Sequence, residues 1–372
     1  MWSRDGSTAF ARTVGREPSR PGVRHRLSRN SSQPNSGQPT AVTATAAQRW
    51  RAGELVAFPT ETVYGLGADA TQDAAVARIF EAKGRPSDHP LIVHVAHAEQ
   101  ARGFAAQWSQ PVARMLAKAW PGPLTVIVPR RAGVATAAAG GQDSVGLRCP
   151  SHPVALALLQ AAHRVGVAGV AGPSANRFGR VSPTCAAHVI QEFEAHVPVV
   201  DGGECSVGIE STIVDATRDT LVVLRPGHYT AAQLSEWAGQ TVWAHDPKPS
   251  QAPKASGTLA SHYAPRAKVR LMARAPLLER CTQASQTPKA GHHLKVAVWS
   301  PDAAPPGWTG AWRAQPTQAQ ACAQSLYATL RELDALGVDE IWVAQVPSAS
   351  ELSAGHADEW AGVADRLQRA AA

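Results

Sequence analysis

The alternation of apolar and polar positions divides the chain into stretches of different character. Residues 1–40 show little apolar periodicity. From residue 41 to about 240, short apolar runs mix with segments of helical spacing. The runs at 55–58, 91–95, 124–128, 144–148, 166–170, 197–200, 211–215 and 221–224 have the length and β-branched content of strands, the last two forming a hairpin. Helical patterns cover 42–51 and 111–119. Others begin near Thr71 and Asp73, at Ser151 through 162, at Ser182 with Pro183 in the first turn, and at Thr230, where Gln233 completes a capping box. In the helix after Asp73, the residues Val76, Ile79, Phe80 and Lys83 share one face, and Gly84 suits the position just past its end. Strands outnumber helices and do not alternate strictly with them. An α+β domain built on a twisted, mixed sheet is therefore expected over 41–242. Residues 243–266 lose periodicity and read as a linker. From 267 to 372, strands at 269–272, 294–299 and 341–346 alternate with helices at 318–336 and 359–371. That pattern predicts a smaller α/β, Rossmann-like domain with a parallel sheet.

Composition changes this picture in one place. The net charge of +7 sits mostly in the first forty residues, which hold seven Arg against Asp5 and Glu17 and so carry +5. That stretch, rich in Ser, Arg, Pro, Gly and Gln, reads as a disordered tail or a transit segment. The remainder is nearly neutral and shows no long Lys/Arg run, which argues against a general nucleic-acid binder. No apolar run approaches the ~18 residues of a membrane span, and a cytoplasmic location is expected. Five scattered cysteines, none in C-x-x-C, fit a reducing compartment and small buried side chains, Cys149 and Cys205 included.

The chemistry concentrates between residues 57 and 91. An apolar strand breaks at Pro59 into the hydroxyl-rich turn Thr60-Glu61-Thr62, with Gly65 and Gly67 following. Those glycines suit left-handed backbone or a close backbone approach. Lys83 and Arg85 straddle a helix end, and Arg148 and Arg225 also stand beside Gly or Pro turns. Such cations either complement a helix dipole or meet a polyanion. No P-loop and no H-E-x-x-H are present, and no protein-bound metal is expected.

The ordered run PTETVYGLG at 59–67, then KGRP at 83–86 and Pro90-Leu91, resembles the signature of the YrdC-like threonylcarbamoyl-AMP synthase family. SHYAP at 261–265 resembles the HYxP element of that family's longer, two-domain members. The resemblance implies that L-threonine, bicarbonate or CO2, and ATP, with Mg2+ entering alongside ATP, are joined into threonylcarbamoyl-adenylate with release of pyrophosphate. It implies a downstream tRNA-modifying transferase as the taker of the product, and leaves direct tRNA contact open. Lys83, Arg85 and Arg225 would face ATP, with His89, Ser144, Ser174, Asn176, Ser182 and Tyr263 lining the nucleotide. Thr62, His94, Arg148, Gly172 and Ser211 would form the threonine pocket, Arg148 holding the carboxylate. Residues 246–265 would act as a lid ending at Tyr263. Two positions depart from the family: His89 replaces the usual Asn, and 255–261 lacks the usual Pro-Gly-rich basic segment. The competing readings are a double-stranded-RNA-binding or ribosome-associated module, and a carbamoyl-phosphate-using relative.

Overall fold

The computed structural model describes residues 26–27, 40–258, 262–286, 294–347, 351–352 and 357–372. Among them, eleven strands form one mixed sheet and four form a second. The large sheet takes its strands far out of chain order. At its centre Ile92–His94 runs parallel to Ser144–Arg148 and antiparallel to Val170–Ala171. Leu124–Pro129 lies antiparallel to Ser144–Arg148 and parallel to Thr212–Asp215, which pairs in turn with Leu221–Arg225 in the expected hairpin. The second sheet is wholly parallel, with Glu340–Ala344 between Lys268–Met272 and Val296–Ser300, and Ala311–Ala314 at the edge. The mixed α+β first domain and parallel α/β second domain thus follow the apolar pattern.

Several helices bury the face their spacing predicts. Asp73–Lys83 buries Val76, Ile79 and Phe80 and ends at Gly84 in the left-handed region. Ala231–Ala238 opens on the Thr230–Gln233 capping box. Helix Ala41–Arg51 packs Trp50 and Ala47 with Leu158, Leu159 and Ala162 of Pro153–Arg164.

Several boundaries differ from the sequence reading, each for a local reason. The cap before Pro153 is His152, whose Nδ1 accepts from the Val154 amide, rather than Ser151. Ser182 does not start a helix: its hydroxyl donates to Glu210, and the helix begins after Cys185, at Ala186–Phe193. Of the run 166–170 only Val170 is strand, because pairing starts where Asp69 and His94 come alongside. Gly65 and Gly67 lie inside the strand Gly65–Asp69, not in left-handed turns, and the Trp50 indole donates to the Gly67 carbonyl. The helix Arg274–Gln286 and the strand Ala311–Ala314 had no sequence signal strong enough to place them. Most of the tail 1–40 lies outside the described residues. Arg26–Leu27, however, is an edge strand paired parallel to Val199–Val200, so the tail is not wholly separate from the fold. Among the described residues, a chain beginning at Ala41 loses this two-residue pairing and the Thr40 cap of the helix Ala41–Arg51. Its activity is expected to match the full chain, with stability lower by no more than about 1 kcal/mol, the cost of a lost cap; a larger drop would show that the tail carries structure.

Candidate active site

Sheet register assembles the centre of the site. His94, Arg148, Thr125, Ile213 and Arg225 are successive partners across five adjacent strands, so residues up to 131 positions apart in sequence stand in one row. A second row, Ile92, Gly146 and Ile127, runs alongside it.

At one end of the row, Arg148 and His94 gather a set of buried polar groups. Arg148 is 4% exposed and its Nη2 stands 2.7 Å from Glu61 Oε1. That contact is ionic only: Arg148 Nε and Nη2 and both Glu61 oxygens are buried with no hydrogen bond. His94 is buried against Phe58, and its Nδ1 likewise lacks a partner. Gly172 packs closely here, since a Cβ at that position would meet His94 Nδ1 at 3.0 Å and press on the His94 and Phe58 rings. Thr62 is buried, with its hydroxyl 2.9 Å from that of Thr60. Ser211 Oγ lies 2.8 Å from Thr125 Oγ1 and accepts from Arg225 Nη2.

At the other end the cations converge. Lys83 Nζ donates to the Ser174 carbonyl at 2.7 Å and to the Asn176 carbonyl. Arg85 Nη2 donates to the Pro90 carbonyl and reaches Ser256 Oγ, while its Nε has no partner. Arg225 Nε donates to the Ser211 carbonyl and its Nη1 to the Ser256 carbonyl at 2.9 Å. Cations flanking a helix end and a turn would be expected to face an open mouth, but Lys83 and Arg85 are 3% and 8% exposed: the 174–176 loop carbonyls cap Lys83, and Ser256 of the linker lies against Arg85. Burial, then the like charge of Arg85, pulls the Lys83 ammonium well below its usual range, and burial lowers Arg85 to about 10.

The cover is the segment 254–258. Ala255 packs on Ile92, Ile127 and Ile213, and Lys254 exchanges hydrogen bonds with Gln142 and pairs with Asp88. Ser144 lies beneath it. Gly257, at φ +74°, is forced by proximity: a Cβ there would sit 2.3 Å from the Tyr263 hydroxyl. Tyr263 is buried at φ 65°, in the left-handed region a tyrosine seldom adopts. Its ring is held by His262, Tyr327 and the Arg366 guanidinium, and its hydroxyl has no partner. Burial raises that hydroxyl to about 12.

Three expected nucleotide residues are placed less simply. Asn176 Nδ2 is used by its own loop, donating to the Arg177 and Arg180 carbonyls, and only Oδ1 is left without a partner. His89 is half-buried edge-on to Phe178, over which Arg85 also lies. Ser182 is committed to Glu210 at 2.6 Å and faces the second domain.

That domain supplies residues the sequence did not flag. Glu210 accepts from Tyr327 at 2.8 Å and from Arg366 at 2.9 Å. Arg366, fully buried, also donates to the Pro226 carbonyl. Burial pushes the Glu210 carboxyl up, but Arg366 and Arg225 outweigh it and hold it at about 2. Cutting the chain after Gln240 would therefore strip Tyr327 and Arg366 from Glu210, leaving Ser182, and remove the strand Val242–Trp243, so it is not a clean excision of a lid.

Burial also holds His94 and His262 at about 3 and His188 at about 4, below the usual 6.5. The unfolded chain thus binds protons that the folded chain refuses. Stability is complete above pH 6.5 and is lost as pH falls toward these values, by about 1.4 kcal/mol per pH unit for each imidazole. Glu210 adds to the loss below its usual range. The urea midpoint is expected to hold from pH 8 to 7 and to fall steadily below 6.5; a level profile down to pH 4 would contradict this.

A mixed sheet with converging buried cations, unpartnered buried polar groups and a strap closing over them defines a YrdC-like domain with a C-terminal companion. A family model described as "Telomere recombination" matches residues 48–227, and one described as "Threonylcarbamoyl-AMP synthase, C-terminal domain" matches 229–372. The threonylcarbamoyl-AMP synthase of Schizosaccharomyces pombe is 33% identical over 337 residues, 80% of this chain and 81% of that protein. That of Pyrococcus abyssi is 43% identical over 223 residues, 59% of this chain and 64% of its own length. The solved structure of Pyrococcus abyssi Sua5 complexed with L-threonine superposes with a TM-score of 0.77 at 34% identity, covering 89% of this chain and 94% of that one. The chain belongs to the threonylcarbamoyl-AMP synthase family.

Proposed function

We propose that this protein is an L-threonylcarbamoyladenylate synthase, a nucleotidyltransferase that joins L-threonine, bicarbonate or CO2, and ATP and releases pyrophosphate. The observation that carries this reading is the set of buried, unpartnered polar atoms around one covered cleft: Arg148 Nε, His94 Nδ1, Arg85 Nε and the Tyr263 hydroxyl. Buried polar groups without partners are costly, and a ligand that satisfies them accounts for their retention.

Arg148 takes the threonine carboxylate in its fork, and Thr62, His94, Gly172 and Ser211 shape the pocket for the side chain. Lys83, Arg85 and Arg225 neutralise the phosphates of ATP, which enters as its magnesium complex. Ser144, Ser174, the free Asn176 Oδ1 and His89 line the nucleotide, while Ser182 acts indirectly by fixing Glu210. No enzyme nucleophile is required, because the carbamate of threonine carries the attacking oxygen. The buried thiols agree: burial raises Cys149 to about 12. Segment 254–258 and Tyr263 exclude water, which would hydrolyse both the carbamate and the mixed anhydride. The product passes to a tRNA-modifying transferase, and the reaction is placed in the cytoplasm.

Pyrophosphate release from ATP, measured with each amino acid and with or without bicarbonate, tests this. Release should require both threonine and bicarbonate. Release that ignores either one overturns the reading.

A further inference from the structure

Carbamoylating an amino acid requires its nitrogen to shed protons, and the pocket holds one group placed to receive them. Glu61 is 5% exposed, in the turn between the strands Val56–Phe58 and Gly65–Asp69. Both of its oxygens are buried without a hydrogen bond, and among the described residues its ion contact is Arg148 Nη2. Glu61 therefore lacks hydrogen-bond donors, whereas Arg148 lacks an acceptor for two of its nitrogens. A zwitterionic α-amino acid supplies both: a carboxylate for the guanidinium and, about one carbon away, an ammonium for the carboxylate.

We infer that Glu61 is the general base that deprotonates the threonine ammonium for carbamate formation. This inference rests on the synthase activity proposed above. The step balances with bicarbonate. The ammonium and HCO3− give the carbamate, one water and one proton. The nitrogen lone pair forms the N–C bond, a C–O bond of bicarbonate breaks, and its oxygen leaves as water with one ammonium proton. The other proton goes to Glu61 Oε, and reaches solvent when the cover opens. The new carbamate oxygen then attacks the α-phosphate and pyrophosphate leaves.

The titratable groups that feel the Glu61 charge are Arg148, Cys149, His152, Cys205, His228 and Tyr229. None is a substitute. Arg148 is a fixed cation, and burial pushes both thiols and the phenol up. Burial also holds His152 and His228 below the usual imidazole range. His94 is lowered to about 3 and is a weak base.

The test is the Glu61→Gln enzyme, full length, assayed by threonine-dependent pyrophosphate release from pH 7 to 9.5. General bases contribute about 10²- to 10⁴-fold, so kcat should fall by at least a hundredfold at pH 7. It should climb about tenfold per pH unit toward the amine's own pKa, near or above ~8, as free amine replaces the missing base. A residue that only orients Arg148 would change the threonine KM and gain nothing from alkali. A folded Glu61→Gln enzyme with kcat within threefold of wild type, or with the same deficit at pH 7 and pH 9.5, overturns the inference. If Glu61→Gln does not fold, Glu61→Asp decides: a lower kcat at similar threonine KM supports the base, and a change confined to KM refutes it. Failure of the wild-type enzyme to release pyrophosphate with threonine would instead remove the synthase reading itself.

Discussion

Arg148→Ala should raise the threonine concentration needed for half-maximal pyrophosphate release by about thirtyfold or more, with the ATP requirement nearly unchanged. Removing one partner of a buried, hydrogen-bonded charge pair typically costs about 2–5 kcal/mol, and about 1.4 kcal/mol is a factor of ten. Arg148 is buried, its Nε awaits an acceptor, and it lies in the register row beside His94, away from the Lys83 and Arg85 cluster. The substitution also leaves Glu61 without its cation. The thermal midpoint of the variant should accordingly be measured, and Arg148→Ala compared with Arg148→Lys, which keeps the charge and loses the fork. Equal weakening of threonine and ATP would take Arg148 out of the carboxylate role.

Arg366→Ala is expected to have the largest effect on stability, a loss of about 3–5 kcal/mol, because it strands a buried carboxylate. Glu210 would keep Ser182 and Tyr327 as donors but lose its direct ion partner among the described residues. Tyr263 would lose the guanidinium packed on its ring, so the ATP requirement should rise as well. Urea unfolding together with the ATP KM measures both. Arg366→Met combined with Glu210→Gln should recover much of the lost stability, since the unpaired charge is gone. An unchanged urea midpoint in Arg366→Ala would show that the contact is not structural.

Much of this was legible in the chain. The Lys83–Arg85 turn, the Arg225 corner and most of the strand segments announce themselves through Gly, Pro and β-branched runs, which act locally; the order of the strands in the sheet does not. Glu210 and Arg366 did not announce themselves, because each makes sense only beside the other, 156 residues away. One signal was available. In the helix Ala357–Ala371, Trp360, Val363, Leu367 and Ala370 form the buried stripe, and Arg366 falls within it. A charge inside an apolar stripe asks for a partner. The helix Arg274–Gln286 was illegible for the opposite reason: it buries only Leu277 and Cys281, too few for a helical period to stand out. Burial of Lys83 and Arg85 could not be read locally either, since the 174–176 loop meets the first and Ser256 the second.

The pairing of Glu210 with Arg366 also bears on the order in which the protein matures. Contacts that span 156 residues close late, because the intervening chain must first give up its freedom. Until the second sheet has formed and its last helix has docked, Glu210 has no counter-ion and Tyr263 no platform. Closure over the first sheet is thus tied to docking of the last helix, which brings Glu210 its counter-ion and packs the Tyr263 ring.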